Sequence, residues 1–215
     1  ALAALESGLA TPETRVSCDG AMELGAAKFH CWKKGGHGAL DMAQGLQHSC
    51  DVYFYEMARR VGIDRIAAMS KRFGLGGVTG IDLPGERPGL MPTRDWKKGV
   101  TGVAWQPGES LVAGIGQGFI TATPLQLAVM TARIANGGKA VIPHVTRDTI
   151  SGEDIRRRTA PIPAVMGVTP AMLNLVRTGM ELVVNDPRGT AYGARIVDRE
   201  MRMAGKTGTS QVRRI

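Results

Sequence analysis

Lys206-Thr207-Gly208-Thr209-Ser210, near the end of the chain, gathers groups suited to holding an anion. Lys206 supplies a fixed positive charge. The threonine hydroxyls and the backbone N–H groups that follow can hold a carboxylate or a developing oxyanion. Gly208 carries no side chain, so a substrate can lie flat against the backbone there. Far upstream, Ser49-Cys50-Asp51 sets a hydroxyl and a carboxylate two positions apart. Paired in this order with Lys206, the Ser49 hydroxyl is a candidate for chemistry. The competing reading makes Ser49 or Asp51 only the cap of the helix that follows.

Cys18, Cys31 and Cys50 all fall in the first quarter of the chain, with His37 among them. The order C-x12-C-x5-H-x12-C offers four ligands of the set that holds tetrahedral zinc, without the close C-x2-C pair of most zinc fingers. Residues 16–38 have little apolar periodicity and much Gly and Lys, so a metal or a disulfide is expected to order them. Three readings stand. One is a Cys3His zinc site. Another is one disulfide plus one free cysteine in an oxidising compartment. The last is three separate buried thiols packing as small hydrophobes, with His37 an ordinary loop histidine.

Taken in order, the serine and lysine motifs resemble two of the three signatures of penicillin-recognising acyl transferases. Longer blocks carry the resemblance further: Trp32-Lys-Lys-Gly-Gly-His-Gly38, Gly80-Ile-Asp-Leu-Pro-Gly-Glu-Arg87, Met91-Pro-Thr-Arg-Asp-Trp-Lys97 and Gly114-Ile-Gly-Gln-Gly-Phe-Ile-Thr-Ala-Thr-Pro124. These are similar to the class B penicillin-binding proteins, and together most resemble the penicillin-binding protein 2 family, the elongation enzymes of Gram-negative bacteria. The resemblance covers nearly the whole chain. It implies an α+β, β-lactamase-like transpeptidase domain, an antiparallel sheet with helices, of which residues 1–215 are a part open at both ends.

The activity so implied is a serine-type D,D-transpeptidase. It crosslinks peptidoglycan stem peptides ending in D-Ala-D-Ala through an acyl-enzyme, and β-lactam antibiotics act as substrate mimics. By the same resemblance Ser49 relays a proton toward the leaving amine, and Lys206 eases nearby charge and helps orient Ser49. Thr207 and Thr209 grip the substrate carboxylate, and the Thr209 N–H serves the oxyanion hole. The family usually has Asn at the third place of the serine motif; here Asp51 adds a carboxylate. The third signature, Ser-x-x-Lys, carries the nucleophile, and no serine in the chain has a lysine three places later. In the family a segment like residues 1–9 directly follows that motif. The nucleophile is therefore expected just before Ala1, further strands after Ile215, and no activity from this stretch alone.

Some members of the family carry zinc in this region, on Asp and Cys or His ligands. Cys31, His37 and Cys50 fall at matching places, and Cys18 matches less tightly. The resemblance thus favours Cys18, Cys31, His37 and Cys50 as zinc ligands. The ion would be a structural clamp on Ser49-Cys50-Asp51, because four protein ligands leave no coordination position open for water. It also implies a periplasmic domain of an inner-membrane-anchored protein, with a lipid-linked glycan polymerase and other rod-shape proteins as partners. The alternatives are a D,D-carboxypeptidase or β-lactamase, which pass the acyl group to water, and a zinc-stabilised scaffold module without catalysis.

Several elements must position these groups. Apolar spacing predicts helices over residues 39–48, 52–61 and 63–73, a short one over 93–97, then 125–135 and 169–184. Gly62, Gly74 and Asn136-Gly137-Gly138 act as stops, and Thr123-Pro124 and Thr169-Pro170 as openings. Residues 74–92 read as a Gly- and Pro-rich loop. Strands are expected over 139–149 and, carrying Lys206, over 201–212, with an exposed connection over 151–167. The net charge of +8 peaks at Arg156-Arg157-Arg158, read as a solvated loop. Aromatics are few and do not interleave with the basic residues, so no nucleic-acid partner is expected. No apolar run reaches the ~18 residues of a membrane span. Gly114-x-Gly116-x-Gly118 lacks the strand–turn–helix context of a dinucleotide site and reads as tight backbone beside the active-site wall.

Overall fold

The computed structural model describes residues 1–145, 167–198 and 200–210. Helix α1 (Leu2–Glu6) leads into four short strands: β1 (Val16–Cys18), β2 (Ala21–Leu24), β3 (Ala27–His30) and β4 (Gly38–Leu40). Two antiparallel pairs result. Cys18 stands opposite Gly38 in β1–β4, and Ala21 stands opposite His30 in β2–β3. The lack of apolar periodicity over this stretch reflects strands too short to alternate, not an absence of regular structure. Then follow α2 (Met42–Gln47), α3 (Asp51–Val61), α4 (Ile63–Arg72), α5 (Arg94–Thr101), α6 (Pro107–Gly114), α7 (Pro124–Ala135), α8 (Pro170–Asn185) and a single 3-10 turn at Tyr192–Ala194. The α+β reading stands.

The core gathers on α3. Its inward face buries Val52, Tyr53, Tyr55, Met57, Ala58 and Val61 against α1, the strands and Leu111 of α6. Two glycines allow helices to approach closely. A Cβ on Gly114 would lie 2.4 Å from the Ala58 methyl, and one on Gly179 would lie 2.6 Å from Leu46. The first lets α6 press on α3, and the second lets α8 lie on α2, so both carriers of the serine motif are backed by rigid elements.

The helix starts follow local chemistry. At α7 the Thr123 hydroxyl accepts from the Gln126 N–H while Gln126 Oε1 accepts from the Thr123 N–H, with Pro124 in the first turn. The fully buried Gln126 amide also donates to the carbonyls of Gly77 and Pro88 at 2.6 and 2.7 Å, pinning the expected 74–92 loop to α7.

Four expectations are corrected. The helix predicted over 39–48 begins only at Met42, because Asp41 and Gln44 form a reciprocal capping pair and residues 38–40 pair with β1. The short helix predicted over 93–97 runs on, as α5, to Thr101, and α6, opened by a Gln106–Glu109 capping pair, falls where no element is predicted from the sequence. Residues 141–145 form no strand, and 146–149 lie outside the described residues, as do 151–166 with Arg156–158. Over the described residues 201–210 the Lys206 segment forms no strand. It hangs on α8 instead, through Gly205 N–H to Met180 O at 3.1 Å and Asn185 Nδ2 to Met203 O at 2.8 Å.

Candidate active site and metal cluster

Helix α2 ends in a six-residue Schellman turn that delivers Ser49. The Ser49 N–H bonds Leu46 O at 3.1 Å and the Cys50 N–H bonds Gly45 O at 3.0 Å, which places Ser49 where glycine is the usual occupant. Its φ is +50°, and among the described residues it is the one non-glycine with positive φ. Left-handed backbone costs a side-chain-bearing residue about 1–2 kcal/mol. A serine kept there despite that cost points to a use for its hydroxyl.

Cys50, rather than either neighbour, caps α3: its Sγ accepts the Tyr53 N–H at 3.4 Å. Asp51 occupies the first turn, where the helix dipole favours a carboxylate. Its Oδ2 accepts the Trp32 backbone N–H at 2.9 Å. The Trp32 indole Nε1 donates to two consecutive carbonyls, His48 O at 3.1 Å and Ser49 O at 3.0 Å. These carbonyls lie past the end of α2 with no helical partner.

From the other end of the chain, Lys206 Nζ donates to Ser49 Oγ at 2.8 Å and to its neighbour Thr207 O at 3.0 Å. The Thr207 hydroxyl lies 3.1 Å from that of Thr190. Thr190 in turn sits beside α2 through its N–H to Gln47 O. Lys206 is exposed as a residue and lines the cleft. Burial there lowers its pKa from lysine's ordinary value, and the negative charge of Asp51 opposes that shift.

Ser49, Asp51, Lys206, Thr207, Gly208 and Thr209 all line one cleft of about 390 Å³, with Ala1, Leu46, Phe54 and residues 114–117 as the remaining wall. All six chemistry-bearing residues picked out from the two motifs therefore meet, and the glycine run after α6 is the wall facing them. Three contributors were not singled out from sequence: Gln117, Thr190 and the Trp32 indole. Trp32 lay within a block similar to the penicillin-binding proteins, which was the available signal. Nothing local marked Thr190.

Cys18, Cys31 and Cys50 are free and buried, so none is in a disulfide. Their sulfurs and a His37 ring nitrogen all lie within 4.8 Å of one another. His37 Nδ1 is 3.6 Å from both Cys18 Sγ and Cys31 Sγ. Ligand atoms on a tetrahedral ion with bonds of about 2.0–2.3 Å sit ~3.5–3.8 Å apart, so this donor set fits such an ion. Burial pushes the Cys31 and Cys50 thiols up from their ordinary value. A cation among the sulfurs would reverse that and hold them as thiolates. His37 is lowered, by burial first and then by Lys33 and His48, which keeps its imidazole neutral, as a ligand must be.

A profile described as the penicillin binding protein transpeptidase domain matches residues 1–214. The chain belongs to this transpeptidase domain family. Curated relatives within the family include the peptidoglycan D,D-transpeptidase MrdA of Acinetobacter baumannii, 36% identical over 226 residues, covering 100% of this chain and 32% of the relative. MrdA of Escherichia coli K12 is 36% identical over 215 residues, covering 99% of this chain and 34% of its own length. This transpeptidase-domain chain thus spans about a third of the curated relatives it matches. Among solved structures, Pseudomonas aeruginosa PBP2 in complex with WCK 5153 superposes with a TM-score of 0.87 at 38% identity, over 98% of this chain and 48% of that one. Helicobacter pylori PBP2 in complex with MreC gives 0.87 at 33%, over 98% and 38%.

Proposed function

We propose that the protein to which this chain belongs is a peptidoglycan D,D-transpeptidase of the elongation type. The observation that carries this reading is the 2.8 Å contact between Lys206 Nζ and Ser49 Oγ inside a cleft that also presents Thr207 and Thr209. Ala1 lies in the wall of the same cleft, so a nucleophilic serine on the residues before it would enter beside Ser49.

In this reading the serine attacks the carbonyl between the two terminal D-alanines of a stem peptide. The Thr209 N–H holds the developing oxyanion, and Thr207 and Thr209 hold the terminal carboxylate, with the Lys206 charge nearby. The attacking serine gives up its proton as its oxygen bonds the carbonyl; as the C–N bond breaks, Ser49 hands its own proton to the departing D-alanine amine and takes up the nucleophile's proton in exchange, with Lys206 fixing the direction of the Ser49 hydroxyl. An amine from a neighbouring stem then attacks the acyl ester, and its proton passes along the same relay to the departing serine oxygen, which restores the free serine. β-Lactams acylate the same serine.

Cys18, Cys31, His37 and Cys50 would hold Zn2+. When bound, the ion supplies folding free energy to the segment that carries them. Since Cys50 is also the α3 cap, the peptide between Ser49 and Asp51 is held by the same cluster.

The reading extends to a periplasmic domain anchored in the inner membrane. Among the described residues no helix is long and apolar enough to cross a membrane. The H. pylori PBP2 structure contains MreC, and another neighbour, TM-score 0.74 at 31% identity, is a complex that coordinates glycan polymerisation with crosslinking. A rod-shape protein and a lipid-linked glycan polymerase are accordingly the partners proposed here.

The test is the intact mass of the natural full-length protein before and after penicillin. The expected result is a stable adduct on a serine upstream of Ala1, formed much more slowly in Lys206→Ala. No adduct on folded wild-type protein, or an unchanged rate in Lys206→Ala, overturns the reading.

A further inference from the structure

We infer that Trp32 is a positioning residue for the reaction, holding Ser49 in the backbone conformation that presents its hydroxyl to Lys206. The inference rests on the transpeptidase reading above for its functional consequence, and on geometry alone for its structural content.

Ser49 needs an external hold. With φ at +50° and a side chain present, it sits in a conformation that its own preferences oppose. Its φ sets how the peptide carrying His48 O is turned relative to the Ser49 Cα, and its ψ does the same for the peptide carrying Ser49 O. The Trp32 indole N–H forks onto these two oxygens, at 3.1 and 3.0 Å. One donor therefore restrains both soft dihedrals of Ser49. The Trp32 backbone N–H adds a third tie, to Asp51 Oδ2 at 2.9 Å. A single residue thus spans the segment from His48 to Asp51.

Core packing does not explain this tryptophan. Its side chain is 60% exposed, and its ring contact is the edge of His37, centroids 5.3 Å apart. A large exposed aromatic whose polar atom is fully engaged acts through that atom. On the far side of Ser49, Lys206 Nζ donates to Oγ at 2.8 Å. Rotating the Ser49 backbone moves Oγ off that line, and a displacement of an ångström at a reacting centre lowers rates about 100-fold.

The experiment uses the natural full-length protein with two changes at one position. Trp32→Phe removes the N–H and keeps a ring. Benzothienylalanine at position 32 replaces the indole N–H by sulfur at nearly constant shape, and it decides the matter where the phenylalanine variant fails to fold. The rate constant for acylation by a penicillin is measured separately from the affinity of the preceding non-covalent complex. Bound zinc and melting temperature are measured alongside. Expected is a fall of about 10- to 100-fold in the acylation rate constant, with affinity, metal content and melting temperature held. In parallel, the Ser49 φ is read from backbone NMR couplings of selectively labelled protein and is expected to leave the positive region in both variants. Acylation at the wild-type rate by the folded isostere overturns the inference, as does a loss confined to affinity or a Ser49 φ that stays positive. If wild-type protein is not acylated at all, the transpeptidase reading fails, and the NMR result alone decides whether Trp32 positions Ser49.

Discussion

Replacing Ser49 separates what the backbone prefers from what the cleft requires. Ser49→Ala and Ser49→Gly both delete the oxygen that Lys206 approaches at 2.8 Å, so their difference isolates the Cβ at φ +50°. Removing a Cβ from left-handed backbone recovers about 1–2 kcal/mol. The freer unfolded chain of glycine takes back ~0.4–1 kcal/mol. The glycine variant should therefore be the more stable by ~0.5–1 kcal/mol, which for a domain of this size is about 1–4 °C in melting temperature. Thermal and urea unfolding of the two variants in the natural protein supply the comparison, with penicillin acylation expected to be equally impaired in both. An alanine variant as stable as the glycine variant, or more so, would show that the left-handed geometry carries no strain and would remove the reason for reading Ser49 as kept for its hydroxyl.

Three further perturbations follow from the packing and the charges. Gly114→Ala drives a methyl into Ala58 of α3 and, at 2.9 Å, the Phe54 carbonyl. A destabilisation of about 1–3 kcal/mol is expected in urea unfolding, together with slower acylation, because Phe54 and Gly114 both line the cleft. Chelation of metal from the natural protein should loosen residues 16–50 and slow acylation together, read by hydrogen exchange and penicillin labelling; loss of chemistry with full protection of that segment would make the ion catalytic instead. Glu56 is held below its ordinary pKa of 4.5 by its hydrogen bonds from Arg59 and then Arg60, against an opposing burial effect. A depressed folded value means stability that is present above the unfolded pKa and is lost as pH falls through the folded one. Glu56→Gln should therefore cost ~0.5–1 kcal/mol at neutral pH and show a gap to wild type that closes as the pH drops below about 4.5, measured by urea unfolding across pH.

What could be read from sequence was whatever chemistry is local. Helices α3, α4, α7 and α8 declared themselves because apolar spacing coincides with an opening or a stop signal, as at Thr123-Pro124 and Gly62. Ser49, Asp51 and Lys206 were legible as motif residues. The start of α2 was misplaced because Ala39 and Leu40 continue the apolar pattern without a break, while the Asp41–Gln44 capping pair that ends the ambiguity went unused. The same kind of signal, Gln106 and Glu109 around Pro107, announced α6 and was passed over. Trp32 was beyond local reading: its indole N–H meets carbonyls 16 and 17 positions away, a relation set by how the strands fold over α3. So too was the pairing of Thr190 with Thr207, which depends on α8 bringing its C-terminal turn back against α2.

The two groups whose contact defines the cleft, Ser49 and Lys206, are 157 positions apart in the chain. Contacts of such separation carry a large loop-closure penalty and form late, after local helix pairs such as α3 with α4. The hydroxyl–ammonium pair can therefore exist only once the chain's first quarter and its far end have docked through α8. A nascent or misfolded copy would hold its helices yet lack the pair. On the transpeptidase reading, acquisition of a penicillin label during refolding would then time the docking that brings Ser49 and Lys206 together.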